Sequence, residues 1–136
     1  MLVSTGSKMN ILVLDIGGTG SRALFSTSGE NGEVESKVAE GPGANPNRVG
    51  KETTSETIAA LVRKVGLGGE PCDRLVVGLA GISCIDSFEA VRNGVAQSGL
   101  QVKKENAWLM SDAELAHIAA FGYDVSNGDG IRPKQC

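Results

Sequence analysis

Several features on which other protein classes depend are scarce in this 136-residue sequence. It contains one histidine, His117, which excludes a metal cluster built on histidines. Its three cysteines are Cys72, Cys84 and Cys136, and they form no C-x-x-C pair. We interpret them as free thiols rather than as a disulfide framework or a zinc site, because those sites use paired, closely spaced cysteines. Free thiols are typical of a reducing compartment, so we expect a cytoplasmic protein.

Long apolar runs and an excess of basic charge are also missing. No segment approaches the roughly 18 consecutive apolar residues of a membrane-spanning helix. The first ten residues hold too short an apolar stretch for a signal peptide. The net charge is -3 and the basic residues are scattered, whereas a nucleic-acid-binding surface needs a basic patch or stripe. We therefore expect one globular domain by size, with neither a membrane nor a nucleic acid as its partner.

What the sequence does contain is a regular succession of strand and helix patterns. The spacing of apolar residues predicts three strands first, followed by alternating helices and strands. The predicted strands are Ile11–Leu14, Arg22–Thr27, Val34–Ala39, Arg74–Leu79 and Ala107–Met110, and the predicted helices are Thr53–Val65, Asp86–Ser98 and Glu114–Phe121. Thr53 and Glu56 have the spacing of a capping box. The order β-β-β-α-β-α-β-α predicts an α/β fold with a mixed five-stranded sheet covered by helices, because helical crossovers make the later strands parallel.

The connection between the first two strands is unusually rich in small residues. A plain hairpin needs only a two-residue turn, but this connection carries Asp15, Gly17, Gly18, Thr19 and Ser21. A strand rather than a helix follows, which excludes a P-loop and a dinucleotide-binding fingerprint. Glycines allow backbone N–H groups to turn toward phosphate, hydroxyls can add donors, and a carboxylate can hold hydrated Mg²⁺. The alternative is an irregular turn with Asp15 as a local cap.

The stretch "LDIGGTGSRALF" resembles the first phosphate motif of the acetate and sugar kinase, Hsp70 and actin superfamily. Three further stretches, "EGPGANPNRVG", "GLAGIS" and "SDAELAHIAAFG", resemble its N-acetylglucosamine kinase-like branch, the BadF/BadG/BcrA/BcrD ATPase family. The resemblance runs from Ile11 to about Gly122. It implies a ribonuclease H-like (actin-like ATPase) lobe, ATP and Mg²⁺ as cofactors, and phosphorylation of N-acetylglucosamine or a related hexose.

The resemblance also implies roles for individual residues. Thr19 lies where the family contacts ATP phosphate, and Asn45 lies where the amino-sugar kinases bind the sugar. Asp112 lies where they place the carboxylate that takes the proton from the attacking hydroxyl, a task for a general base. Gly81 and Ser83 would line the sugar pocket. Each has an ordinary alternative: Asn45 suits a turn, Gly81 and Ser83 suit a strand-to-helix loop, and Asp112 suits a capped first helical turn.

The resemblance implies one lobe over residues 1–122 and a polar tail over residues 123–136. In the family a second phosphate motif and a second domain with the adenine site follow. We therefore expect no useful kinase activity from this chain alone. Two other functions stay open: an ATPase activator of a dehydratase-type reductase, and a non-catalytic interaction lobe. The last would pair through exposed apolar surface, with a homodimer as one form.

Overall fold

The computed structural model describes residues 9–29, 31–66, 71–81, 84–111 and 115, with residues 84–86 described by their backbone alone. Ser83, Asp112 and nearly all of the predicted third helix lie outside this part of the chain. The strands are β1 Met9–Ile16, β2 Gly20–Ser28, β3 Val34–Pro42, β4 Arg74–Leu79 and β5 Ala107–Ser111. The helices are α1 Pro46–Val49, α2 Lys51–Val65 and α3 Cys84–Ser98, with a 3-10 turn at Lys104–Asn106.

The five strands form one mixed sheet in the order β3-β2-β1-β4-β5. The first three strands are antiparallel neighbours. The pairs β1–β4 and β4–β5 are parallel, as the helical crossovers require. The α/β fold predicted from the sequence is confirmed, and β4 has the predicted bounds. The other four strands extend beyond the apolar runs that predicted them.

One face of the sheet carries the core. Leu12, Leu14 and Ile16 alternate along β1 and are fully buried. The helices α2 and α3 cover this face, with Ile58 and Leu61 among the buried contacts. The opposite face, which we call the outer face, holds the other residues of β1. Its large apolar side chains stay exposed over part of the sheet, at Met9, Leu24, Val34 and Val38.

The two long helices approach each other very closely. A β-carbon on Gly94 of α3 would lie 2.8 Å from both Ile58 Cβ and the Ser55 carbonyl oxygen of α2. At the same crossing Ser55 Oγ donates a hydrogen bond of 2.9 Å to the Ala90 carbonyl. Glycine therefore permits a helix contact in which a buried hydroxyl can reach the backbone of the neighbouring helix.

The helix beginnings differ from the sequence prediction. Gly50, with φ of 89°, is the N-cap of α2 and the helix begins at Lys51, so the predicted capping box of Thr53 and Glu56 is wrong. A short helix, α1, occupies part of the predicted loop and ends at Gly50. Thr54 supports this junction by donating to the carbonyl oxygens of Ala44 and Gly50.

The structure places the start of α3 two residues earlier than predicted, at Cys84 rather than Asp86. The residue described beyond β5, Leu115, is helical and lies against the outer face, where its side chain leaves no room for a β-carbon on Gly78. No helix in the described residues is long and apolar enough to cross a membrane.

Candidate functional site

The glycine hairpin lies where β1 ends. Gly17 N–H donates 2.9 Å to the Gly20 carbonyl and closes the turn. A β-carbon on Gly17 would lie 2.7 Å from that same oxygen, so close approach requires glycine here. Gly18 and Thr19 form the exposed tip. No acceptor in the described part of the chain bonds their N–H groups, so the tip presents unpaired donors.

The loop after β3 fixes the hairpin from one side. Ala44 N–H donates 3.0 Å to the Gly17 carbonyl, and the Ala44 side chain is fully buried. The neighbouring residue, Gly43, lies against the peptide that joins Gly18 to Thr19. A β-carbon on Gly43 would overlap the Gly18 carbonyl and lie 2.7 Å from Thr19 N. The position of the hairpin tip therefore depends on glycine at residue 43.

The loop after β4 completes the same edge of the sheet. Ala80 N–H donates 2.8 Å to the Ile16 carbonyl. Gly81 has φ of 65°, and the Asn45 side chain occupies the space where a β-carbon would lie. Asn47 Nδ2 donates 3.0 Å to the Gly81 carbonyl. Three loops that are distant in sequence are thus tied together.

Asn45 also begins α1. Its Oδ1 accepts a hydrogen bond of 2.9 Å from Asn47 N–H, which is the usual N-cap interaction. Pro46 follows at the first helical position, where its fixed φ suits the helix and its missing N–H has no cost. The Asn45 amide nitrogen donates no hydrogen bond to any described residue, so this donor is available beside the hairpin.

Asp15 and Ser21 flank the hairpin differently. Asp15 is exposed on the outer face, with Arg22 and Gly78 as its cross-strand neighbours. Ser21 is buried and its Oγ donates 2.7 Å to the Pro42 carbonyl. In this conformation the Ser21 hydroxyl therefore joins β2 to the end of β3 by a hydrogen bond instead of pointing to the hairpin tip. Its predicted contact with phosphate stays a prediction.

The remaining predicted site residues, Ser83 and Asp112, fall outside the described residues. Gly81 is the last described residue before Ser83, and Ser111 is the last described residue before Asp112. Ser111 ends β5 and is the parallel partner of Leu79, so Gly81 and Ser111 both lie at the hairpin edge of the sheet. The roles of Ser83 and Asp112 stay predictions. Within the described ranges, no group of three or more His, Cys, Asp or Glu side chains could hold a metal ion. Hydrated Mg²⁺ held through one carboxylate does not need such a group.

Sequence reasoning missed Gly43 as a site residue and gave Asn47 no structural role. The only available signal was the density of turn-forming residues in "GPGANPN", which many loops share. What distinguishes these two residues is the partner each meets, Thr19 and Gly81 respectively.

The buried thiol of Cys72 lies away from this edge, just before β4 begins. Its Sγ donates 3.0 Å to the Arg74 carbonyl, and the cysteine forms no disulfide. Desolvation by burial raises the pKa of Cys72 to about 11. A thiol with so high a pKa is a weak nucleophile at neutral pH, so Cys72 has a packing role.

Solved structures with a similar fold include the PPX-GPPA enzyme of Aquifex aeolicus, with a TM-score of 0.50 and 12% identity over 76% of this chain. This chain has the actin-like ATPase fold. The match spans 36% of that enzyme's length, and at this identity the likeness concerns the fold alone. No protein-family model matches the sequence, and no curated protein matches it.

Two further structures are similar at lower scores. One is the ethanolamine utilization protein EutJ of Carboxydothermus hydrogenoformans, with 16% identity, a TM-score of 0.47, and coverage of 86% of this chain and 41% of EutJ. The other is a second structure of the Aquifex aeolicus Ppx/GppA family member, with 12% identity, a TM-score of 0.37, and coverage of 76% and 36%. The likeness to the PPX-GPPA enzyme supports the fold expected from the sequence, and no comparison supports the N-acetylglucosamine kinase-like branch.

Proposed function

We propose that this chain is a nucleotide-binding lobe whose glycine hairpin holds a phosphate group of ATP. The observation that carries the proposal is the hairpin tip, where Gly18 and Thr19 present N–H groups without acceptors among the described residues. Successive unpaired backbone N–H groups in a turn form a concave site for anions. The Thr19 hydroxyl adds a third donor, and packing against Gly43 holds the donors in place before any ligand arrives.

The residues present fit ATP and Mg²⁺. Gly18 is open on the side where a β-carbon would lie, with no described atom within 4 Å of that position, so a phosphate can approach its backbone from that side. Asp15 is exposed, and its carboxylate would hold the hydrated Mg²⁺ through water, as one or two carboxylates commonly do. Bound Mg²⁺ would supply neutralisation of the phosphate charge.

The finer proposal is a sugar kinase acting on N-acetylglucosamine or a related hexose. Phosphoryl transfer depends mostly on positioning the acceptor beside the phosphate. Asn45 is fixed next to the hairpin by its contact with Gly81, and its available amide nitrogen suits a sugar hydroxyl. Asp112 would deprotonate the attacking hydroxyl. In the family that the sequence resembles, this activity needs two lobes. We propose that this chain contributes one of them.

The decisive test is calorimetric titration with ATP·Mg²⁺ of the wild type and of Gly18→Ala. The methyl group of this variant enters open space in the fold but occupies the approach of a phosphate. We expect ATP binding to fall at least about tenfold while circular dichroism and Tm show an intact fold. Ser26→Ala, which removes a hydroxyl from the outer face, serves as the control. Equal ATP affinity in wild type and Gly18→Ala would exclude the hairpin as the phosphate site.

The sugar site is tested separately with Asn45→Asp. This variant keeps the Oδ1 acceptor that caps α1 but removes the Nδ2 donor. We expect N-acetylglucosamine binding to weaken while the unfolding free energy changes little. If the variant binds the sugar as the wild type does, Asn45 is a capping residue only.

A further inference from the structure

The edge strand β3 is open to pairing in the structure. It ends the sheet at Val34–Pro42, and β2 is its sole strand partner among the described residues. Every residue from Val34 to Val38 is exposed. Such an edge presents a row of backbone N–H and C=O groups to any strand that can match it. Lys64 of α2 donates 2.9 Å to the Glu40 carbonyl, so the available stretch lies before Glu40.

The side chains on this open stretch alternate in chemistry. Val34 and Val38 lie on the outer face and are 66% and 59% exposed. Glu35 and Lys37 lie on the opposite face, one on each side of Ser36. Charged residues on an edge strand commonly prevent pairing. Here their order has the opposite consequence for one partner, a second copy of the same strand.

Two antiparallel copies of β3 match when a two-fold axis passes through Ser36. Glu35 then lies opposite Lys37 of the second copy, and the reverse pair forms on the other side of the axis. Val34 lies opposite Val38 of the second copy, again twice. Opposite charges and apolar pairs directly across two strands stabilise a sheet, whereas like charges destabilise it. The interface is isologous, as a two-fold dimer requires.

The neighbouring two-fold registers are worse. An axis through Glu35 places this residue opposite its own copy in the second chain, and an axis through Lys37 does the same for Lys37, so each axis brings two like charges together. An axis through Val34 places Glu35 opposite Glu33.

An axis through Val38 is excluded by the backbone rather than by charge. It needs the backbone at Glu40, where Lys64 is bound, and it places Pro42, which has no N–H, opposite Val34. The sequence of β3 thus selects the register centred on Ser36.

The outer face supplies a second reason for this register. Val13, Leu24 and Val38 lie side by side across β1, β2 and β3. Leu24 is 38% exposed and Val38 is 59% exposed. In the proposed register Val34 of the second copy follows Val38 directly, so the apolar row continues across the interface. Pairing therefore removes apolar surface from water as well as satisfying backbone groups.

We propose that two copies of this chain associate through β3, in antiparallel register about Ser36, to form one continuous sheet. The interface lies on the strand's open stretch, away from the hairpin tip. Dimer formation does not depend on ATP binding, so the proposed dimer can exist whether or not the proposed function is correct.

The test is sedimentation velocity of the full chain over a range of concentrations, with charge-exchange variants. Glu35→Lys places two lysines opposite each other across the interface, and Lys37→Glu places two glutamates opposite each other. We expect each single variant to raise the dimer Kd at least about tenfold, because two attractive pairs become two repulsive ones. An equimolar mixture of the two variants should associate again, since both cross-strand pairs are then of opposite charge. The double variant should also dimerise.

Glu52→Lys, an exposed charge reversal on α2, is the control and should leave the dimer intact. Circular dichroism at low concentration shows whether each variant is folded. A wild type that stays monomeric up to millimolar concentration overturns the proposal. A dimer that ignores both single exchanges, or a mixture that fails to associate although each variant is folded, overturns this interface and register.

Discussion

Replacing Gly81 with alanine should destabilise the protein more than the same replacement at Gly99. Both glycines have positive φ, 65° and 78° respectively. No described atom lies within 4 Å of a β-carbon at Gly99, whereas at Gly81 that atom would overlap the Asn45 side chain. The two variants share the backbone strain and differ in the steric conflict, so their difference isolates the contact between the two loops.

The expected losses of unfolding free energy follow from the interactions that each variant disturbs. Alanine in the left-handed region costs about 1–2 kcal/mol, and both variants bear this cost. Gly81→Ala must also displace Asn45, whose cap on α1 stabilises by about 1 kcal/mol. It further disturbs the hydrogen bond from Asn47 to the Gly81 carbonyl, which contributes about 1 kcal/mol. Gly81→Ala should therefore cost about 2 kcal/mol more than Gly99→Ala.

Urea unfolding followed by circular dichroism measures both variants and tests the cause. Asn45→Ala removes the side chain that a β-carbon at residue 81 would overlap. In that background Gly81→Ala should lower the unfolding free energy only by the backbone strain of alanine at positive φ. The coupling between the two sites should then be about 1–2 kcal/mol, within the range seen for residues in contact. Equal losses for Gly81→Ala and Gly99→Ala, or strict additivity with Asn45→Ala, would refute the contact.

Three further predictions concern the core and the surface. Gly94→Ala should destabilise by about 1–3 kcal/mol in urea unfolding, because overlap with Ile58 outweighs the roughly 1 kcal/mol gain in helix propensity. Burial raises the pKa of Cys72 from 9.0 to about 11, so the unfolding free energy should fall as pH rises from about 9 to about 11, and more steeply in the wild type than in Cys72→Ala. Arg22→Ala should change stability by less than about 1 kcal/mol, since its 3.1 Å pair with Glu40 is exposed to solvent.

The sheet could be predicted from the sequence because each strand is a local pattern. Arg74–Leu79 is a compact apolar run between turn signals, and its bounds agree with the structure. The helix α1 was missed because an Asn-Pro sequence suits a turn and a helix N-terminus equally well. The beginning of α2 was misplaced for a related reason: Gly50 can end one helix and begin another, and the nearby Thr53 offered a more familiar signal.

The contacts that build the candidate site could not be predicted in the same way. The bond from Asn47 to Gly81 joins residues 34 positions apart, and the packing of Gly43 on the hairpin joins two loops whose relation depends on the sheet. A local pattern identifies the glycines but not what lies against them. Among the glycines at the candidate site, packing requires Gly17, Gly43 and Gly81, but there is one that packing does not require.

Gly18 is that exception, and it makes the sharpest prediction about function. Its φ lies outside the left-handed region and the position of a β-carbon is open, so the fold gives no reason to prefer glycine there. Alanine at such a position usually stabilises by about 0.4–1 kcal/mol, because it restricts the unfolded chain. Gly18→Ala should therefore raise the unfolding free energy while it weakens ATP binding. A variant that is less stable and binds ATP as before would mean that the hairpin needs this glycine for its own conformation, and the argument for a phosphate site would lose its basis.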